Sequence, residues 1–137
     1  MNLNSHQILL CKTQGDLFEL AALRGLDCDE FVRIFMNSET ARQLDMPWSH
    51  AQWAGEAYLL EELEDVSGGL PRADLVYDPE AMFWMGYLYR YWHFYTGESS
   101  AEIYRHVDAA TMALIYPGYH TLDCEEAIDR LLETDDE

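Results

Sequence analysis

Apolar residues recur at three- and four-residue intervals along almost the whole chain, the pattern of amphipathic helices packed on one another. Ile8, Cys11, Gly15, Phe18 and Ala22 form one such stripe, predicting a first helix over 5–24 that closes near Arg24-Gly25. Asp27 and Glu30 have capping-box spacing, and Phe31, Ile34 and Phe35 give the second helix its inward face up to Met36-Asn37. Residues 38–45 add one or two turns, after which Pro47 drives Met46 out of helical conformation. Ser49 and Gln52 repeat the cap spacing, predicting a helix on which Trp53, Ala57, Leu60 and Leu63 share a face. Its other faces are acidic through Glu56, Glu61, Glu62, Glu64 and Asp65.

The paired glycines and Pro71 of 66–78 oppose both helix and central strand, so this stretch reads as a flexible connection. Leu75-Val76-Tyr77 is extended in pattern but has no partner strand. The best-defined helix follows over 79–96, with Asp78 as N-cap, Pro79 in the first helical position and Gly97 as the stop. Nearly its whole circumference is apolar or aromatic, so neighbouring helices or a partner must surround it. Gly86 allows a neighbouring backbone to come close. Arg90 is the exception, because a charge in such a segment needs a carboxylate, a carbonyl or water. It is either a structural ion pair or an anchor at an interface rim.

Ser99 with Glu102 launches a short helix, Asp108 caps another that stops at Pro117-Gly118, and Asp123 with Glu126 opens the last. The "ETDDE" tail is expected to fray, with 135–137 left outside the domain. The fold class is therefore all-α: a single-domain array of seven or eight helices over 1–134, around a central aromatic-rich helix.

Charge changes the picture most. Twenty-six acidic residues against eight basic ones give the 137-residue chain a net charge of −18, which opposes direct nucleic-acid binding. A helix-turn-helix reading of 27–44 fails for the same reason, since Arg33 and Arg42 are outnumbered by Asp27, Asp29, Glu30, Glu39 and Asp45. No apolar run suits a membrane span and the N-terminus does not resemble a secretory signal, so a cytoplasmic location is expected. Cys11, Cys28 and Cys124 are odd in number and lack a CxxC pair, which suits structural, reduced thiols. No phosphate loop, HExxH, nucleophile elbow or zinc spacing occurs, and no catalytic, cofactor or metal set is expected.

"DPEAMFWMGYLYRYWHFYTGESSAEIY" (78–104) and "YPGYHTLDCEEAIDRLL" (116–132) add a family likeness. Gly86, Tyr87, Tyr89, Arg90, Tyr91-Trp92, Ser99-Ser100, Ile103-Tyr104, Tyr116, His120-Thr121-Leu122-Asp123 and Ala127-Ile128 carry it. With these, the chain resembles the C-terminal half of small acidic bacterial proteins encoded beside ADP-ribosyltransferase-like toxin genes. The resemblance implies a noncatalytic antitoxin or toxin-associated protein that binds a basic partner and blocks its active site. On this reading Arg90, Tyr91, Trp92 and Tyr95 are the anchors, while Glu61, Glu62, Glu64 and Asp65 complement the partner's positive charge. Two alternatives stand beside it: an acidic nucleic-acid mimic such as a phage inhibitor, and a small helical enzyme using His93, His106 or His120 with a nearby acid. An apolar patch left on the aromatic helix would equally support a homodimer.

Overall fold

The computed structural model describes residues 1–135, and among them eight α-helices account for nearly all regular structure. They are α1 (Ser5–Leu23), α2 (Cys28–Met36), α3 (Glu39–Asp45), α4 (Glu56–Ser67), α5 (Pro79–Thr96), α6 (Ser100–His106), α7 (Ala109–Tyr119) and α8 (Cys124–Asp135). Short polar residues start most of them. Asn4 and Gln7 form a full capping box on α1, Ser99 and Glu102 another on α6, and Asp27, Ser38, Asp78 and Asp108 each accept a main-chain N–H at a helix start. Gly97 closes α5 in the left-handed region at φ 80°, where a Cβ would be strained.

The all-α class and helix number agree with the sequence, but the arrangement of the aromatic residues differs. The interior aromatic cluster spans several helices: Phe18 of α1 meets Phe31 and Phe35 of α2 edge-on at 5.2 and 5.5 Å, and Tyr89 of α5 at 6.1 Å. Only Tyr89 and Trp92 among the α5 aromatics are fully buried; its other rings are partly exposed. A single aromatic helix is therefore not the hub. The chain instead centres on the α1–α5 seam, where two glycines remove the side chains that would hold the helices apart. A Cβ on Gly86 would lie 2.5 Å from the Gln14 carbonyl oxygen, and one on Gly15 would lie 2.8 Å from the Phe83 ring.

Three local expectations also change. Ser49 caps only a single 3₁₀ turn, His50–Trp53, and α4 starts later at Glu56. The reason is that Gln52 is spent elsewhere: its amide donates to the Leu44 and Met46 carbonyls at 2.9 and 2.8 Å, closing the end of α3. Trp53 consequently leaves the expected inward stripe, and Leu59, Leu60 and Leu63 fill the core. α7 continues through Pro117 to Tyr119: proline's fixed φ is helical, and the single main-chain bond it forgoes is lost only two residues from the helix end.

The 66–78 connection is stitched down rather than free. Asp27 N–H donates to the Pro71 carbonyl at 2.9 Å, Ala73 N–H to Gly25 at 3.1 Å, and the Arg72 guanidinium to Arg24 at 3.0 Å. Leu26 and Arg72 form an isolated antiparallel bridge, and Tyr77 donates its hydroxyl to Asp29 at 2.7 Å. The acidic tail is helical as far as Asp135, which bonds the His106 ring; residues 136–137 of the expected fray lie outside the described residues.

Candidate functional site

Arg90, flagged by its place in an apolar helix, resolves as an interior ion pair. It is 1% exposed, and its guanidinium is divided among three helices. Nη1 donates to Asp45 Oδ1 at 2.6 Å, Nε to Gln14 Oε1 at 2.8 Å, and Nη2 to Ser100 Oγ at 3.2 Å. Asp45 is saturated in turn: the Ser100 main-chain N–H reaches Oδ2 at 2.9 Å and its hydroxyl reaches Oδ1 at 2.8 Å. Gln14 donates its amide to the Gly86 carbonyl at 3.0 Å, so the close α1–α5 approach and the buried charge share one partner. Such a network is stable only when every member is satisfied.

Trp92 is 0% exposed and donates its indole N–H to Glu98 at 3.0 Å. Arg90 and Trp92 therefore face the interior, where no partner protein reaches them without unfolding the seam. Tyr91 and Tyr95 are half-buried, and their hydroxyls donate to Glu125 and Asp129 of α8 at 3.2 and 2.9 Å. They tie α5 to α8. Burial, with the Glu125 bond adding to it, pushes the Tyr91 phenol up to about 12, so this hydroxyl stays a donor.

The predicted acids are placed differently. Glu61 and Asp65 are exposed on α4, and Glu62 and Glu64 are partly so, with no ion pair to any of the four among the described residues. Just before them in the chain, Trp48 is 81% exposed, Trp53 76% and Tyr58 58%. The surface from 48 to 65 thus combines large exposed aromatic rings, Trp53 resting one side against the His6 ring at 4.5 Å, with carboxylates that form no ion pair among the described residues. Periodicity misses this, because Trp53 has the helical spacing of a core residue; only the tight 3₁₀ turn rotates it outward.

The three candidate histidines go to three places. His120 is exposed, stacks on Tyr116 at 4.5 Å and bonds the Tyr116 carbonyl. His106 lies between Glu98, at 2.7 Å from its Nε2, and Asp135 on Nδ1, with its ring stacked on Trp92 at 5.7 Å. Chiefly the Asp135 hydrogen bond, with Glu98 adding and burial opposing, raises its pKa. His93 lines a cavity of about 290 Å³ with Asp45, whose Oδ1 is 3.7 Å from Nδ1, and with His6, a residue the helical pattern did not single out.

The thiols are chemically quiet. Burial pushes Cys11 up to about 12 and Cys124 up to about 11, keeping both protonated and poorly nucleophilic near neutrality. Among the described residues no group of three histidines, cysteines or carboxylates is placed to hold a metal ion, and no helix is long and apolar enough to cross a membrane. Comparison of the chain with protein-family models, with curated proteins and with solved structures found no match.

Proposed function

We propose that the protein is a noncatalytic, acidic binding module that occupies the active-site region of a basic protein, in the manner of an antitoxin. The contact surface is the 48–65 segment. The observation that carries this reading is the exposure of Trp48, Trp53 and Tyr58 immediately before the free carboxylates of α4. Large aromatics are the residues that dominate binding energy when a partner desolvates them, and folding alone gains little from leaving them in water. The acids serve a different step. A chain carrying −18 attracts a cationic surface over long range, speeding encounter, and the aromatic rings then hold the complex.

An ADP-ribosyltransferase-like toxin is the partner that the sequence resemblance suggests. Steric closure of its substrate cleft is the simplest mechanism, since it asks for shape and charge but no chemistry from this chain. The anchoring role passes from Arg90 and Trp92, which are interior, to Trp53 and Tyr58.

The test is affinity capture from the native host, followed by titration of the purified captured protein at low and moderate salt. Trp53→Ala with Tyr58→Ala is expected to weaken binding about 100-fold, mainly by faster dissociation. Reversal of Glu61, Glu62, Glu64 and Asp65 to lysine is expected to slow association and to flatten its salt dependence. Failure to capture a basic protein, or a partner indifferent to both sets of changes, would sink the proposal. Displacement of the partner by DNA in competition would instead favour a nucleic-acid mimic, and self-association through the same residues a homodimer.

A further inference from the structure

The 290 Å³ cavity at the start of α1 adjoins the 48–65 surface, sharing Gln52 with it and reaching Trp53 through the His6 ring 4.5 Å away, but its lining is of a different, hydrogen-bonding character. Its walls include His6, Asp45 and His93 beside the apolar side chains of Leu10, Pro47 and Phe94. In the neutral form of each imidazole, the surrounding network dictates which ring nitrogen carries the proton. The Glu98 carbonyl, which can only accept, is 2.7 Å from His93 Nδ1, so the proton sits there. His93 Nε2 is left as an acceptor with no protein donor among the described residues.

His6 is oriented by Gln52. With both Gln52 amide hydrogens committed to the Leu44 and Met46 carbonyls, its Oε1 must accept from His6 Nε2, 2.9 Å away. His6 Nδ1 is then a second unprotonated nitrogen, buried without a partner. Donors come from the same wall. Asn4 and Gln7 commit their side-chain oxygens to each other's main-chain N–H groups at 2.8 and 2.9 Å, leaving their amide N–H groups available.

Charge narrows the occupant. Arg90 at 2.6 Å neutralises Asp45, so the cavity offers neither a free carboxylate to a cation nor a free cation to an anion. The volume exceeds the ~150 Å³ of an apolar void that takes one benzene ring, and it lies near the small end of ligand pockets.

We propose that this cavity binds a planar, uncharged heterocycle presenting an N–H donor next to a carbonyl acceptor, that is, a lactam. The ligand N–H donates to His93 Nε2, the amide of Gln7 or Asn4 donates to the ligand carbonyl, and the ring lies against Leu10, Pro47 and Phe94. His6 lines the cavity with its ring set against Trp53.

The probes are 2-quinolone and its N-methyl derivative, which keeps the rings and the carbonyl but loses the donor. Titration of protein carrying ¹⁵N-labelled histidine should move the His93 Nε2 resonance saturably while His120 stays still. The 2-quinolone should bind about tenfold tighter than the N-methyl compound, and His93→Ala should bring that ratio close to one. No saturable shift at His93, equal affinity for the two compounds, or a preference that survives in His93→Ala would overturn the assignment. Where His93→Ala perturbs the helical circular dichroism, the nitrogen shift in the unsubstituted protein decides alone.

Discussion

Two regions rich in aromatic residues behave in opposite ways. Along the α1–α5 seam Phe18 meets Tyr89 edge to face, the helices touch through glycines, and all three nitrogens of one guanidinium are hydrogen-bonded. Between residues 48 and 65 the rings are largely exposed, with only the His6 ring against Trp53, and the carboxylates beside them form no ion pair among the described residues. The seam spends its aromatic and polar groups on holding this chain together. The exposed segment keeps them available. Aromatic content therefore does not distinguish a core from a contact surface; the satisfaction of the neighbouring polar groups does.

The contrast is broken most directly at Arg90. Arg90→Met leaves Asp45 largely buried without its counter-charge, and is expected to cost ~3–5 kcal/mol of stability in urea unfolding. Trp53→Ala, by contrast, should stay within about 0.5 kcal/mol. Equal costs at the two positions would mean that the exposed tryptophan belongs to the core after all.

Glycine substitutions sharpen the same comparison with a change of sign. Gly86→Ala drives a Cβ into the Gln14 carbonyl, a main-chain atom that cannot step aside, so a net loss of about 2 kcal/mol is expected despite better helix propensity. Gly118→Ala meets nothing within 4 Å and should gain up to about 1 kcal/mol. Chemical denaturation of the two variants reads the difference.

The smallest effect lies where the seam reaches the surface. His106 holds Glu98 and Asp135 through both ring nitrogens, and two carboxylate acceptors require both to be protonated. Its folded pKa is raised above the ordinary value of about 6.5, so the folded chain binds the proton more tightly than the unfolded one. That contribution is fully present below about pH 6.5 and is lost as pH rises through the raised folded value. The melting temperature should fall over this window, and His106→Gln should flatten the fall. A slope unchanged in the variant would remove the histidine from the account.

Much of the fold is legible in the chain itself. Apolar spacing together with cap residues finds the helices, Asp78-Pro79 and Gly97 bound α5 to the residue, and Gly86 signals a close approach. The failures at the 49–53 turn and at Arg90 share one cause, a polar group satisfied by a partner the local pattern does not mark. Gln52 resembles a cap residue in local spacing, but its amide is recruited by the carbonyls at the end of α3, and the helix expected there shrinks to a single turn. Gln14 lies on the same stripe as Cys11 and Phe18, a polar residue on an apolar face, and that was the available sign of Arg90's partner. Asp45 gave no such sign. It reads as one more acid in a negative segment, and reaches Arg90 across forty-five positions.

Helix identity, helix ends and net charge follow from neighbouring residues, because hydrogen bonding and periodicity act within a few positions along the chain. Which carboxylate meets the buried guanidinium, which tryptophan turns to water, and which histidines share a cavity were decided only by tertiary packing. Those outcomes depend on distances between segments far apart in sequence, and a strong local pattern yields wherever a distant polar group has to be satisfied.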